Sequence, residues 1–459
     1  MKKIMILCAA ALFTACGIYK PYSRPEDIRT DGLYGDIETT DTASIADLTW
    51  QEVFTDPQLQ QLIQLGLANN TDLLSAQLRV EEAKATLSSA RLAYLPMFNL
   101  APQGAISSFD NKNTSKTYNI PLMASWEIDI FNGLTNAKRR AKALYAQSQA
   151  YEQAVKTQLI ANIANLYYTL LMLDSQYAVS VETADKWRES VRTIRALKEA
   201  GMANEAGVAQ YEANSLAIDA SLHDLEYSIR EVENTLTSLL GETPHTVVRG
   251  QLESQQLPEE LLVGVPVQLL ANRPDVQAAE LALTSAYYAT ASARSALYPK
   301  ITLSGTAGWT NNAGAMIVNP GKLLLSAAGS LVLPIFNARA GRAQVKIAKA
   351  EQEAAKLGFQ QALLNAGAEV NDALMQCQSA RAKVTLRQQQ IEALERAEES
   401  TELLMRHSST TYLEVLTARQ SLLSARLSQI SDRFDEIQGV VTLYQALGGG
   451  RDLAAAESK

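Results

Sequence analysis

Three histidines, three cysteines and scattered carboxylates are the residues of this 459-residue chain that could carry chemistry. His223, His245 and His407 are isolated from one another, and none lies near Cys377, so neither a metal-ligand cluster nor a cysteine–histidine pair emerges. No phosphate-cradling glycine loop and no serine elbow is present. Asp72 and Asp275, with Arg91 and Arg294, recur as charged positions, and helix capping and packing account for them better than chemistry does. Cys377 is one leftover thiol that cannot make an internal bridge, and it reads as a small buried filler. These residue types argue against an enzyme, and no cofactor is expected.

The cysteine with a chemical future is Cys16. Lys2 and Lys3 form a basic start, Ile4–Phe13 an apolar run, and residues 1–15 together have the layout of a secretory signal. The run is too short to cross a bilayer as a helix. Phe13-Thr14-Ala15-Cys16 resembles the bacterial lipoprotein cleavage box, with Phe where Leu is more usual. On that resemblance Cys16 becomes the mature N-terminus and carries lipid, whereas an ordinary signal peptide would leave it incidental. Lys plus Arg total 41 against 49 Asp plus Glu, a net charge of -8, and no concentrated basic face exists for a nucleic acid.

The elements that hold the remaining polar residues are written twice. Leu67–Pro96 laid over Leu270–Pro299 matches at 12 of 30 positions. An Ala-rich chain would give roughly two or three matches by chance, so this is a true repeat. Each copy is a helical segment that ends at a proline, Pro96 or Pro299, which biases the preceding residue toward extended geometry. Alternating segments follow, predicting four strands at about 97–107, 118–131, 300–310 and 322–336. Polar tips are expected at Ser107–Thr117 and Thr310–Gly321. In the second strand Tyr118, Ile120, Leu122, Ala124, Trp126 and Ile128 share one face, while Asn119, Ser125, Glu127 and Asp129 share the other. Strands of about ten residues have the length that a tilted strand needs to cross a bilayer.

Ile130-Phe131-Asn132 recurs as Ile335-Phe336-Asn337 at the exit from each strand pair. Long helical stretches follow. Leu134–Ala200 contains no Pro or Gly, and Ala137, Ala141, Leu144, Ser148, Tyr151, Val155, Leu159, Ile163, Leu166, Leu170, Leu173 and Tyr177 step along it by three and four, a coiled-coil seam. As one helix it would be about 100 Å long. Ala338–Arg406 is its counterpart, with Gly358 and Gly367 as points where it could break. Val208–Leu240 and Tyr412–Leu447 read as the returning helices. The expected organisation is a signal peptide (1–15), a lipidated linker (16–49), a first repeat (50–241), an inter-repeat linker (242–265), a second repeat (266–450) and a tail (451–459).

Four such strands cannot close a barrel, and open edges are not tolerated in lipid, so other copies must complete the sheet. Two copies give eight strands and a filled interior, whereas three give twelve and a lumen. The expected fold is therefore mainly α with a membrane β-barrel portion, assembled as a trimeric twelve-stranded barrel with a helical tunnel. Glu127 and Asp129 would point into the lumen, where they would bias it toward cations or pair with a neighbouring strand's Lys or Arg.

Four stretches resemble the TolC-like outer-membrane efflux proteins. These are Trp50…Phe54-Thr55-Asp56-Pro57…Leu59…Leu62-Ile63, Gly264-Val265-Pro266…Leu269-Leu270-Ala271-Asn272-Arg273-Pro274-Asp275-Val276, Tyr412-Leu413-Glu414-Val415-Leu416, and Leu443-Tyr444-Gln445-Ala446-Leu447-Gly448-Gly449-Gly450. The resemblance spans the mature chain in order, and with the lipobox it points to the lipoprotein branch serving resistance–nodulation–division pumps. It implies a homotrimer in the outer membrane, fed by an inner-membrane pump through a periplasmic adaptor. It also implies that Gly201–Val208 and Ser408–Val415 form the periplasmic tip, with Gly201, Asn204, Glu205, Gly207, Thr411 and Glu414 as gate candidates. Gly207 replaces a common Asp of the family, and Thr411 is not acidic, which leaves Glu205 and Glu414 as a charged constriction or as solvated helix-start carboxylates. A channel for type I protein secretion would share these motifs. A periplasmic coiled-coil adaptor lipoprotein would need one helical hairpin, not two, and would leave the strands unexplained.

Overall fold

The computed structural model describes residues 20–28, 32–33, 43–109, 113–256, 258, 263–264, 268–310, 322–407 and 412–451. Cys16, Thr411 and the polar tip at 311–321 lie outside the described residues. In chain order the elements are α1 (Trp50–Val53), α2 (Pro57–Asn69), α3 (Thr71–Leu92), β1 (Met97–Leu100), β2 (Gln103–Phe109), β3 (Asn113–Ile128), α4 (Gly133–Glu199) and α5 (Glu205–Leu239). Then come α6 (Leu269–Asn272), α7 (Pro274–Ser295), β4 (Lys300–Thr310), β5 (Lys322–Val332), α8 (Ala340–Arg406) and α9 (Tyr412–Ala446). The duplication is metrical. α3 and α7 are both 22 residues, α4 and α8 both 67, and α5 and α9 both 35.

The chain divides into two units, one holding Leu78–Ala150 and Gln277–Ala362 with the N-terminal residues, the other Thr30–Gln77, Tyr151–Val276 and Leu363–Lys459. The first unit contains the sheet, with β3 central: β1 and β2 pair its one edge, β4 the other, and β5 pairs β4, all antiparallel. The first pass breaks at Ala101-Pro102 without changing register, since Leu100 faces Leu122 and Gln103 faces Asn119. Pro102 has no N–H for the ladder, and neither has Pro121 opposite this break. The four expected passes are thus present as five strands.

Three strand limits differ from expectation. The polar residues Ser107–Thr117 do not form a loop throughout, because Ser107 pairs with Ser115 and Phe109 with Asn113. Hydroxyl side chains tolerate a pleated ladder, so polarity alone does not end it. β3 stops at Ile128, not at 131, and β5 at Val332, not at 336. Their shared partner β4 begins only at Lys300, after Pro299, and Pro334 follows on the β5 side.

Also in the first unit, the extended N-terminal residues are strapped onto α7 and α8. Arg24 makes a bidentate pair with Glu280 (2.7 and 2.8 Å), Tyr22 N donates to Tyr288 Oη, and Lys356 pairs with Asp27. Helices α7 and α8 approach closely through small residues, with Thr290 Oγ1 donating to Ala348 O at 3.0 Å.

The second unit holds the helical hairpins. The seam expected along α4 buries Leu159, Ile163, Leu170 and Leu173, but Ile160, Ala161, Ala164, Tyr167, Tyr168 and Leu171 are buried too. A helix covered on all sides sits inside its unit and has no single stripe. Leu144 and Tyr151, by contrast, are exposed. Gly358 and Gly367 do not break α8. Gly367 instead admits the backbone of Leu33, whose carbonyl oxygen would lie 2.5 Å from an added Cβ.

Candidate functional site

Two places hold the residues expected to function: the polar sheet face in the first unit and the turn between α4 and α5 in the second. The register sorts the side chains unambiguously. Ile128, Ile301 and Leu331 form one rung; Trp126 and Leu303 the next; then Phe98, Ala124, Gly305 and Ala327; then Leu100, Leu122, Ala307 and Leu325; then Ile120, Trp309 and Leu323. This face is apolar and exposed, with Leu325 at 70% and Phe98 at 65%. The opposite face is mixed: Asn99, Asn119, Ser125, Glu127, Lys300, Thr302, Ser304, Thr306, Ser326 and Ser330 share it with Met97, Met123, Leu324, Ala328 and Val332. Alternation with period two places every one of these side chains.

Glu127 and Asp129, which share a face by alternation, have different surroundings. Glu127 stands opposite Thr302, and its carboxylate lies 3.7 Å from Lys300 Nζ, a diagonal neighbour on the adjacent strand. Asp129 lies one residue past β3 and caps α4: its carboxylate accepts from Leu134 N (3.0 Å), Thr135 N (2.8 Å) and Thr135 Oγ1 (2.6 Å). A carboxylate at a helix N-terminus satisfies orphan amides and meets the positive end of the helix dipole. Around it, Trp126 Nε1 donates to Tyr94 O, Lys138 sits over the Tyr94 ring, Phe131 stacks on Tyr298, and Ser295 Oγ donates to Phe131 O.

The turn between α4 and α5 is built from the expected residues. Gly201 has φ 76, the left-handed conformation that ends α4. Asn204 caps α5, its Oδ1 accepting from Gly207 N at 2.9 Å. The Glu205 carboxylate pairs with Lys198. Gly207 and Asn204 meet the start of α9. An added Cβ at Gly207 would fall 2.9 Å from the Tyr412 ring, and Tyr412 Oη donates to Asn204 Oδ1 at 3.2 Å. Tyr211 Oη in turn donates to Tyr412 O. Beneath lies a core of Trp187, Val191, Ile194, Val208, Tyr211 and Leu416. Glu414 is exposed in the first turn of α9.

Two joints escaped the sequence reading. Asn70 and Arg273 hold equivalent repeat positions, both buried, and each ties a helix start to the end of a returning helix. Asn70 Nδ2 donates to Leu239 O (2.9 Å), and Arg273 Nη1 to Ala446 O (3.0 Å). Only matching identities signalled the repeat, and these two positions do not match. The inter-repeat linker has no periodicity, yet it is pinned. Val247 and Leu252 are buried, and Arg249 bridges Asp174 and Glu233. Gly250 N and Gln255 Nε2 join the Tyr167–Asp56 hydrogen bond, and Arg381 and Arg433 donate to Pro258 O and Gln255 O.

Among the described residues no group of His, Cys, Asp and Glu could hold a metal ion. His223 and His245 are exposed beside Glu226 and Glu242. Cys377 is buried against Gly439, and burial pushes its thiol up to about 11, the opposite of a reactive cysteine. Among the described residues no helix is long and apolar enough to cross a membrane.

The family model described as outer membrane efflux protein matches residues 62–242 and 265–449, both halves of the duplication. The chain is 27% identical to the cation efflux system protein CusC of Escherichia coli K12 over 98% of this chain and 99% of that protein. It is 25% identical to the probable outer membrane lipoprotein SilC of Salmonella typhimurium, again over 98% and 99%. Its structure superposes on a solved structure of CusC with a TM-score of 0.85 and 26% identity, covering 94% of this chain and 99% of the other. An amphipathic sheet, paired helical hairpins and a two-fold match to one family model agree: the chain belongs to the outer membrane efflux protein family.

Proposed function

We propose that three copies of this chain form the exit duct of a tripartite efflux system, passively conducting what an inner-membrane pump delivers through a periplasmic adaptor. The carrying observation is the four-pass sheet. One face is apolar and exposed, the other is hydroxyl-rich, and among the described residues the outer edges of β1, β2 and β5 pair with nothing. Such a sheet is stable in lipid only when its edges are closed. Its passes alternate in direction, so the β5 edge of one copy meets the first pass of the next in antiparallel fashion. Three copies supply twelve strands, enough to leave a lumen.

Cys16 anchors the duct through lipid in the outer membrane, a reading in keeping with the lipoprotein named SilC among its relatives. The turn at Gly201–Gly207 and the start of α9 form the adaptor-facing tip, and Glu205 and Glu414 narrow it.

The test is extraction in mild detergent followed by mass measurement and planar-bilayer recording. A complex of three chains with steady conductance is expected, and a monomer that stays soluble without detergent would sink the proposal. Exchanging Glu205 and Glu414 for Gln should change conductance or ion selectivity if they narrow the tip; unchanged values remove them from that role.

A further inference from the structure

We propose that Lys300 sets the charge of the barrel mouth where β3 hands over to α4. By pairing with Glu127 it offsets the one carboxylate on the helix-side rungs of the polar strand face, so that those rungs favour neither anionic nor cationic cargo. The inference rests on the exit-duct reading above, in which the polar sheet face lines the lumen. On this face the helix-side rungs contain Ser125, Ser304, Thr302, Ser330, Glu127 and Lys300. Only the last two are charged, and they are 3.7 Å apart.

The other acid expected in the lumen, Asp129, has its carboxylate oxygens engaged by Leu134 N, Thr135 N and Thr135 Oγ1 at the positive end of a 67-residue helix. Lys322 pairs with Thr310 at the other end of β4. Both members of the Glu127–Lys300 pair are solvent-exposed, so the pair adds little to stability. Its effect is on the field. Charges in a confined, water-filled passage act on ions within about 8 Å at physiological salt. In a ring of three chains a single substitution uncovers three like charges at one level.

The test is the reversal potential of the full-length channel in a planar bilayer under a KCl gradient. Lys300→Gln should shift the potassium-to-chloride permeability ratio toward potassium, by about threefold, because it exposes the Glu127 ring. Glu127→Gln should shift it toward chloride by a similar factor, and the double variant should return to the wild-type ratio. Conducting single variants that leave the ratio unchanged, or a double variant as displaced as either single, would overturn the proposal. If Lys300→Gln fails to assemble, Glu127→Gln decides alone: a shift toward chloride upholds the pairing and an unchanged ratio removes it. Absence of conductance in every form, wild type included, would instead sink the exit-duct reading.

Discussion

Arg273 and Asn70 occupy equivalent places in the two repeats and close the same joint with different chemistry. Asn70 is a neutral cap: Oδ1 accepts from Asp72 N and Leu73 N, while Nδ2 reaches Leu239 O. Arg273 reaches Ala446 O and also pairs with Asp275 and Glu369, both at 2.6 Å. Asn70→Ala loses a cap and one long-range bond and should cost about 1 kcal/mol. Arg273→Ala strands a buried carbonyl and strips two half-exposed carboxylates of their partner, a loss of about 2–3 kcal/mol. Urea unfolding followed by circular dichroism measures both. Equal losses would contradict the difference in chemistry.

The second joint carries a pH signature as well. Burial by itself would raise the Asp275 pKa, but the hydrogen bonds and charge of Arg273 outweigh it and hold the carboxyl below its usual range. A depressed folded-state pKa contributes stability above the unfolded value of about 3.9, and that stability is lost as pH falls through the folded value. Wild type should therefore lose stability on acidification below about pH 4 more steeply than Arg273→Ala. Parallel acid profiles would remove the Arg273–Asp275 pair from the account.

Among the elements, two contacts define where strands and helices can meet. Gly207 lies under the Tyr412 ring, so Gly207→Ala should destabilise the hairpin tip by about 1–3 kcal/mol through overpacking. Tyr412→Ala should relieve part of that cost, and a double-mutant cycle with no coupling would show the two do not press on each other. In the sheet, a Cβ on Gly308 would run into Ile120 O and meet Pro121 Cα at 2.8 Å. Both are backbone atoms that cannot swing aside. Gly308→Val should therefore block β3–β4 pairing and, on the proposed trimer, abolish assembly on gels, whereas Gly104→Val, 3.9 Å from its nearest neighbour, should assemble.

Local pattern made most of this scale legible from sequence. Period-two alternation from Tyr118 to Ile128 and uninterrupted helix formers from Leu134 onward name their elements without help. Partnerships formed across hundreds of residues leave no such trace. Only the family resemblance, and no residue near Gly207, brings the turn of Tyr412 to the same tip; nothing near Gly367 announces Leu33, and Asp129 reads as one more strand residue until the helix it caps is in view.

At the scale of the molecule, the sheet has to choose which face meets lipid. The apolar face extends from the rung of Ile128 to that of Ile120, eight residue steps, or about 27 Å along a strand. A strand tilt near 40° reduces this to roughly 20 Å, close to the apolar band of an outer-membrane barrel. Its middle rung sets Phe98 beside the small residues Ala124, Gly305 and Ala327, and the alternate position beside Ala327 on β5 is Ser326 on the hydroxyl face. The two neighbours therefore test the assignment with one substitution each. Ala327→Arg places a guanidinium in hydrocarbon, at about 2–4 kcal/mol per copy near the bilayer midplane, and should eliminate assembled channel from the outer membrane. Ser326→Arg places the same group in water inside the lumen, so it should assemble normally and shift the permeability ratio toward anions. The reverse pattern would turn the sheet inside out, and equal tolerance of both would mean that neither face meets lipid. Among the described residues a single chain exposes much of the apolar face and leaves two edges open, so the tolerance of Ser326→Arg also reports closure: only in a completed ring does that position look into a hole.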